Sequence, residues 1–580
     1  MSLKESYVWK CFTYLYSSTC LPTIRTIIFS LSALGLLSFS LSVYSEPLSP
    51  AERGDIELQQ RDILLQNQQQ REDLERNAEL RTSPQISIST PEVQGPRFLI
   101  SQINIEQAMH LPEKEKNQLV QPYINQCIGI SQISKLVEDI SEWYISRGYI
   151  TSRAFLTEQD LSSGELNIRV LEGKLEKVLL EGESTTALRM AFPGLEGNIF
   201  NLRDIEQGME QINRVRTVPV QIEILPGSEQ GLSVVNLSAT PEFPLSFTLG
   251  FDNSGQKSTG TGQMNSSVTG NNLLGIADKW FVNGAKSSDL SNSHDAQSLQ
   301  ASLSVPYGYA LFDYSYSWSD YLSSIDNRGY YWRSRGDTQT HRLNSSWTLY
   351  RDGDIKTGLS LGITHRISRN YLNDVLLQSS SRKLSSVTVG INHGQKLWGG
   401  FATLNPAYSQ GVPWLGAEDD DGKPSGAPKA EFSKWSLSGS YYFPLSERVT
   451  WLSSVYGQWT PDRLYGSERL TIGGESSVRG FKEQYLAGDS GGYLRNELNT
   501  YLFTMPVMGQ VSLVTAVDGG YLHHDSLDKY ASGTLWGAAV GLSTAHRHVS
   551  SSFTVSKPLK YPDWLEPDRY SVYYRIGLMF

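Results

Sequence analysis

The chain has few charged residues, few cysteines and few long apolar runs. Charged residues make up 19% of its 580 positions, cysteine occurs three times, and one long apolar run is present, near the N-terminus. A single apolar run excludes a polytopic helical membrane protein. The formal net charge of −10 argues against a general nucleic-acid binder, which needs a basic surface. A transmembrane β-barrel is not excluded, because its strands alternate apolar and polar residues and their average hydropathy is unremarkable.

The first 45 residues have the pattern of a secretory signal peptide. Basic residues precede an apolar run at 27–43, and Val43 and Ser45 suit the small-residue positions of a cleavage site. A membrane anchor is the alternative, although this run is short for a membrane span. We therefore predict a signal peptide over residues 1–45.

Cleavage there would remove two of the three cysteines and leave Cys127 alone. The mature chain could then form no internal disulfide. An exported chain of this length needs another source of stability. A closed barrel would supply it, because closure pairs every strand edge.

Two polar segments follow the leader. Residues 46–80 are rich in Gln, Glu and Arg and have no continuous apolar face, so they predict a helix that lies either in solvent or in polar surroundings. The residues alone leave a solvated helical tail and an enclosed helix equally open. Residues 81–97 carry three prolines among Ser, Thr and Gln, which predicts an extended linker.

Two small α/β modules are predicted next, at residues 98–172 and 173–241. Each has the order strand, helix, helix, strand, strand. In the first module, apolar residues recur at helical spacing between Ile133 and Tyr144. The repetition of a small α/β unit before a long C-terminal region itself indicates how the domains are arranged along the chain.

The remainder of the chain, 242–580, alternates apolar and polar residues over short runs. The last run is the clearest, with one face formed by Tyr570, Val572, Tyr574, Ile576, Leu578 and Phe580. The opposite faces of such runs carry Ser, Thr and Gly, which suits a water-filled lumen better than a sandwich core. Phe443-Pro444-Leu445 is predicted as one of the short turns. About 21 residues per strand and loop would give 16 antiparallel strands, and 18 would also fit. A soluble β-sandwich array or a β-helix is the alternative.

Three motifs in this region carry a family resemblance. The first, FDNSGQKSTGTG, contains Asp252, Asn253, Gly255, Thr259 and Gly260. The second is GNNLLGIAD, at residues 270–278. The third, IGGESSVRGF, contains Val478, Arg479, Gly480 and Phe481. With the domain order, they resemble the two-partner secretion transporters (TpsB proteins, the ShlB/FhaC haemolysin secretion/activation family) of the POTRA-plus-barrel superfamily.

The resemblance implies a fold. A C-terminal transmembrane antiparallel β-barrel of about 16 strands would follow two periplasmic POTRA-like modules, and the helix at 46–80 would plug the barrel. A loop around 460–492 would fold into the lumen. There Arg479 would pair with Asp518, which stands in an Asp-x-Gly context that ends at Gly520. Phe580 would be the C-terminal barrel signal.

The resemblance also implies a function. The chain would be an outer-membrane pore of a Gram-negative bacterium. It would recognise an unfolded exoprotein in the periplasm and secrete it to the cell surface without nucleotide hydrolysis. The cargo would be a large β-helical haemolysin, adhesin or contact-dependent toxin. Outer-membrane lipid and the barrel assembly machinery would be further partners. An outer-membrane assembly factor is the second hypothesis and a passive porin the third.

We find no sequence motif of an enzyme in addition to these features. The sequence contains no P-loop and no H-E-x-x-H. The close histidine pairs, His523 with His524 and His546 with His548, have no convincing third ligand nearby. We expect no catalytic residue, no metal, no cofactor and no nucleic acid.

Overall fold

The computed structural model describes residues 48–79, 96–287, 293–525 and 528–580. The predicted signal peptide, and all but the last two residues of the predicted linker, lie outside the described residues. No helix among the described residues is long and apolar enough to cross a membrane.

The first element is a helix of 30 residues, α1 (Pro50–Glu79). It begins with a reciprocal cap, in which the backbone N–H of Glu52 donates to the Ser49 hydroxyl and the Glu52 carboxylate accepts from the Ser49 N–H. Ion pairs one turn apart, such as Arg53 with Glu57 at 3.0 Å, support its interior. The helix is polar around nearly its whole circumference, as the sequence predicts.

The first module contains five strands and two helices. In chain order they are β1 (Arg97–Ile100), β2 (Gln102–Glu106), α2 (Glu113–Val120), β3 (Gln126–Gly129), α3 (Ile130–Ser146), β4 (Arg153–Leu156) and β5 (Glu165–Leu171). β5 pairs with β2 in parallel and with β4 antiparallel, while β1 and β3 form a separate antiparallel pair. The buried face of α3 packs on β5. β3 is absent from the predicted order, because in four residues it buries Ile128 alone and shows no pattern.

The second module repeats the architecture with three strands. Its elements are β6 (Lys174–Leu180), α4 (Thr186–Ala191), α5 (Leu202–Asn213), β7 (Gln221–Pro226) and β8 (Leu232–Ser238). β8 lies in the centre, parallel to β6 and antiparallel to β7. The helices cover one face of the sheet, and Phe200, Ile205 and Val235 are buried between them. β7 is an outer strand of this sheet.

The strands after the second module form the barrel and its lumen hairpin. They are β9 (Leu245–Asp252), β10 (Gln263–Asn271), β11 (Lys279–Ser287), β12 (Asp295–Tyr307), β13 (Ala310–Asn327), β14 (Tyr330–Arg351), β15 (Ile355–Leu372), β16 (Val375–Leu376), β17 (Arg382–Leu397), β18 (Gly400–Gly411), β19 (Ser433–Ser446), β20 (Val449–Trp459), β21 (Leu470–Ile472), β22 (Leu486–Gly488), β23 (Gly491–Met505), β24 (Gly509–Leu522), β25 (Gly533–Ala545), β26 (Val549–Lys560) and β27 (Ser571–Met579). β16 is a two-residue extension that pairs with β15, and β21 pairs with β22 alone. The other sixteen strands close into one antiparallel barrel, so the predicted fold class is confirmed.

The alternation within each strand separates an outer apolar face from a polar lumen. On β19, Trp435 is exposed to the outside, whereas Ser438 and Ser440 are buried on the inside. The turn predicted at Phe443-Pro444-Leu445 is wrong, because β19 continues to Ser446. Pro444 has no N–H to donate, and it lies where the register with β20 shifts, a position at which a strand tolerates proline.

The barrel closes where β27 meets β9. This seam contains five register pairs, from Arg575 with Asp252 to Met579 with Thr248. Phe580 extends the seam by one reciprocal pair of hydrogen bonds with Phe247, at 2.9 and 3.1 Å. The last residue of the chain therefore pairs with the first strand of the barrel.

The second module is attached to one end of the barrel, here called the module end, through α5. Gln207 and Gln211 donate to the Gly308 carbonyl in the turn between β12 and β13. Arg214, just after α5, donates to the Ala277 carbonyl at 2.5 Å, in the turn between β10 and β11. The polar face of α5 is thus buried against two turns of the barrel.

Gly208 tests the packing of the second module. A Cβ at this position would lie 2.1 Å from the Phe192 ring. We expect Gly208→Ala to destabilise the module, because overpacking costs about 1–3 kcal/mol and exceeds the gain of about 1 kcal/mol in helix propensity. Limited proteolysis of the whole protein would show faster cleavage in this module. Adding Phe192→Leu should restore part of the resistance, and equal cleavage of single and double variants would contradict the assignment.

Candidate functional site: the filled barrel lumen

A long loop between β20 and β23, here called the lumen loop (residues 460–490), lies inside the barrel. It contains the β21–β22 hairpin, and its apolar side chains pack on the inner wall. The cluster consists of Leu470, Ile472, Val478, Phe481, Leu486, Tyr493, Leu522, Leu535 and Leu565. An apolar cluster in an otherwise polar lumen holds this loop in a defined position.

Arg479 of the lumen loop is bound by Asp518 on β24. The Arg479 Nε and one terminal nitrogen each donate to a different Asp518 oxygen at 2.6 Å, and the Arg479 backbone N–H adds a third bond at 3.1 Å. Glu497 on β23 lies 3.1 Å from the other terminal nitrogen. Asp518 has no exposed surface. A bidentate, buried pair of this kind fixes both distance and orientation.

Two glycines make room for the backbone at Arg479. Gly480 has φ +105°, and a Cβ there would lie 2.8 Å from the backbone of Lys557. Gly537 on β25 faces the same point, since its Cβ would lie 1.7 Å from the Arg479 carbonyl oxygen. Gly520, two residues beyond Asp518, would bring a Cβ to 2.9 Å from Val478. Sequence reasoning missed Gly537, because a single glycine in a strand gives no motif.

Asp252 and Asn253 of the first motif, FDNSGQKSTGTG, lie at the seam. The Asn253 side chain donates to the Val572 carbonyl at 2.8 Å and accepts from the Tyr574 N–H at 2.9 Å. It continues the pairing of β9 with β27 beyond the last register pair. Asp252 accepts from the Asn265 side chain on β10 at 3.0 Å. These contacts fasten β9 to both of its neighbours.

The rest of that motif shapes the connection between β9 and β10. A Cβ at Gly255 would lie 2.1 Å from the Gly260 carbonyl oxygen, so this fold needs glycine there. Gly260 itself has φ +108°, and Thr259 is buried. The connection is therefore a compact turn held by its own backbone.

α1 runs through the lumen and is anchored at the opposite end of the barrel, away from the second module. Its Asp55 lies 2.9 Å from Arg366 on β15, and Arg366 also binds Glu468 of the lumen loop at 2.7 Å. Arg53 donates to the Lys482 carbonyl at 2.6 Å and lies over the Tyr485 ring. The helix, the wall and the lumen loop meet in this cluster.

The middle of α1 is held by neutral polar groups. Gln60 donates to the Thr471 carbonyl of the lumen loop at 2.8 Å. Asn67 accepts from Thr403 and from Asn405, both on β18, at 3.1 and 2.8 Å. A water molecule could replace each of these contacts.

Near the module end, α1 approaches the second module. Asp73 of α1 lies 3.8 Å from the ammonium group of Lys356 on β15. Lys356 also binds Glu210 of α5, and Arg351 on β14 binds Glu210 at 2.8 Å. Burial alone would raise the pKa of the Glu210 carboxyl, but Lys356 and Arg351 outweigh it and lower the pKa well below its usual range. Glu210 therefore stays ionised at neutral pH.

Sequence reasoning missed the cations that hold α1. Lys356 and Arg366 both point inward from β15, as the strand alternation requires. An inward charge in a narrow lumen needs a partner, so this parity was the available signal. The predicted histidine pairs gain no third ligand, since the described residues contain no group of three or more potential metal ligands.

Three family models match the chain in the order of its domains. "Haemolysin secretion/activation protein ShlB/FhaC/HecB" matches residues 231–544, "POTRA domain, ShlB-type" matches 98–173, and "POTRA domain" matches 174–226. Among curated relatives, the outer membrane transporter CdiB of Escherichia coli is 56% identical over 95% of this chain and 93% of its own. CdiB of Dickeya dadantii is 49% identical over 94% of this chain and 97% of its own.

Solved structures of related proteins have the same fold. CdiB from Escherichia coli is 57% identical and superimposes with a TM-score of 0.88, over 92% of this chain and 99% of the other. CdiB from Acinetobacter baumannii, 25% identical, gives a TM-score of 0.74 over 92% of this chain and 100% of the other.

The barrel and the modules define an outer-membrane transporter with periplasmic POTRA domains. The chain belongs to the ShlB/FhaC/HecB haemolysin secretion/activation family. It is a two-partner secretion pore that translocates a cognate exoprotein across the outer membrane. The predicted family, function and location are confirmed.

Asp518→Asn tests how the lumen loop is held. The change keeps the size of the side chain but removes the charge that pairs with Arg479, and breaking a buried pair costs about 3–5 kcal/mol. We expect faster proteolysis of the lumen loop in purified protein, with the barrel still folded. Glu497→Gln removes only one contact to Arg479, so it should give a smaller effect. Equal protection of all three proteins would contradict the role of the pair.

Gly537→Ala tests the same position without changing a charge. The added methyl group would overlap the Arg479 carbonyl oxygen, so we expect the loop to be displaced and secretion of the exoprotein to fall. Gly457→Ala on β20 is the matched control, since its Cβ would meet nothing closer than 3.7 Å. Both variants should insert into the outer membrane at wild-type levels. Normal secretion by Gly537→Ala would show that secretion does not need the close approach of Gly537 to the Arg479 carbonyl oxygen.

Proposed function

We propose that α1 and the lumen loop are two successive gates of this secretion pore, and that the second module receives the cargo. The single observation that carries this proposal is the filled lumen. An extended cargo chain could not pass while both segments occupy it. At least one of them has to move during secretion.

The two gates differ in how firmly they are held. α1 contacts the wall mainly through hydrogen bonds and ion pairs, of which Asp55–Arg366 is buried, and it buries few apolar side chains, among them Ile56 and Leu74. Water could take over most of its polar contacts. The lumen loop also buries Val478 and Phe481 in an apolar cluster and contains the buried Arg479–Asp518 pair. Removal of the loop would expose apolar surface and separate a buried pair. Hence α1 leaves first, and the loop moves less or later.

The cargo would bind by adding a strand to β7. This outer strand of the second module exposes Ile224 and Leu225, each 38% accessible. Strand addition obtains affinity from main-chain hydrogen bonds and selectivity from side-chain pockets. β4 of the first module, with Phe155 and Leu156 partly exposed, offers a second edge of the same kind. Both edges suit an unfolded, strand-forming chain.

We further propose the class of cargo and of partners. The cargo would be a large β-helical exoprotein of the haemolysin, adhesin or contact-dependent toxin type, and its folding outside the cell would draw the chain through the pore. Outer-membrane lipid would surround the apolar outer face of the barrel. The barrel assembly machinery would insert the barrel, with Phe580 at the end of β27 as its signal.

Deletion of residues 50–79 tests the first gate. We expect the fraction of time that the purified pore conducts in a planar bilayer to rise at least several-fold, because nothing then fills that part of the lumen. The barrel should still show heat-dependent migration in gels. An unchanged conducting fraction would exclude α1 as a gate.

Ile224→Lys tests the receiving edge. A charge on an edge strand opposes the addition of another strand, so we expect weaker cross-linking to the cargo and lower secretion. Ile224→Val should behave like the wild type. Phe155→Lys on β4 is the matched variant in the first module, and it shows which module binds the cargo. Full secretion by both lysine variants would contradict strand addition at these edges.

A further inference from the structure

Lys356 contacts two acidic residues that belong to different parts of the molecule. One is Asp73, near the end of α1, at 3.8 Å. The other is Glu210 of α5 in the second module, which is closer. The three side chains are between 19% and 27% exposed. A single ammonium group on the barrel wall therefore connects the helix in the lumen to the second module.

The geometry makes the two carboxylates competitors. Lys356 carries one positive charge, and its attraction to either carboxylate depends on distance in a partly dry environment. Asp73 and Glu210 repel each other when both are ionised. If Asp73 leaves, Lys356 keeps its direct contact with Glu210 and the repulsion disappears. If Glu210 is removed, Lys356 can approach Asp73, which now lies at 3.8 Å.

Glu210 is already anchored by other contacts, whereas Asp73 is not anchored as firmly. Arg351 binds Glu210 at 2.8 Å and also donates to Gln207 of the same helix at 2.8 Å. α5 is held further by Gln211 and Asp204. α5 therefore stays in place when α1 moves, and Lys356 gains a stronger interaction with Glu210.

We propose that Lys356 couples the release of α1 to the attachment of the second module. When α1 leaves, Lys356 interacts with Glu210 alone, which strengthens the attachment of the second module to the barrel. This gain offsets part of the free energy lost when Lys356 and Asp73 separate. Glu210 is thus a positioning residue that lowers the free energy needed to open the pore. This inference rests on the proposed function of α1 as a gate.

The test compares charge-removing variants of the whole protein in planar bilayers, with the conducting fraction as the readout. Asp73→Asn removes one anchor of α1, so the fraction should rise about two- to five-fold, as expected for a partly exposed ion pair. Glu210→Gln leaves Asp73 as the one acidic partner of Lys356, so the conducting fraction should fall by a similar factor. In the double variant the fraction should equal that of Asp73→Asn.

Two controls separate this coupling from simple loosening of the second module. Asp204→Ala removes the acceptor of the Tyr309 hydroxyl on α5 without contacting Lys356, and it should leave the conducting fraction unchanged. Lys356→Gln should raise the fraction as Asp73→Asn does, and adding Glu210→Gln should then lower it less than in the wild-type background, because only the repulsion of Asp73 is relieved.

Each outcome decides between the proposals. If Glu210→Gln raises the fraction or leaves it unchanged, the coupling is refuted. It is refuted as well if Glu210→Gln has the same effect with and without Asp73. If deletion of residues 50–79 does not raise the fraction, the gate function of α1 fails instead. The deletion therefore distinguishes failure of the coupling from failure of the function on which it rests.

Discussion

The closure of the barrel at the seam between β9 and β27 is the constraint on which the rest of the structure depends. A lumen exists only if the last strand pairs with the first, and five register pairs make that closure. Asn253 extends it at one end and Phe580 at the other. A terminal aromatic residue and a hairpin motif far from it in sequence thus contribute to one interface. Without that interface both strands would expose unpaired edges.

Closure creates a polar interior, and the polar interior determines what can fill it. A helix with an apolar face would bury that face poorly among serine and threonine side chains, whereas α1 satisfies the wall with amides and charges. The lumen loop brings its own apolar cluster and its own buried ion pair. The same lumen therefore holds one segment mainly by polar contacts and the other by apolar packing as well.

Much of the fold could be predicted from local patterns. Alternation in the last strand and helical spacing in α3 are properties of consecutive residues, so the barrel and the α/β modules were accessible from the sequence. β3 was not, because four residues with one buried side chain carry no period. The turn at Pro444 was mispredicted, because proline at a register shift looks like proline in a turn.

The site was predictable only where a motif marks it. Arg479 and Asp518 were named from a family resemblance, and their roles in gating stay predictions. Arg366, Lys356 and Gly537 have no motif, since each acts through a segment distant in sequence. The residues of α1 left its surroundings undecided, because polarity alone fits both a lumen and free solvent.

Both cations that hold α1 lie on one strand. The distance between them along β15 therefore has to match the distance between Asp55 and Asp73 along the helix. From Asp55 to Asp73 a helix rises about 27 Å, at roughly 1.5 Å per residue. From Lys356 to Arg366 a strand extends about 33 Å, which a tilt of about 40° reduces to about 25 Å along the barrel axis. The two lengths agree. The spacing of the two acids on the helix therefore has to match the spacing of the two cations on the strand, because a helix with a different spacing would reach one anchor and miss the other.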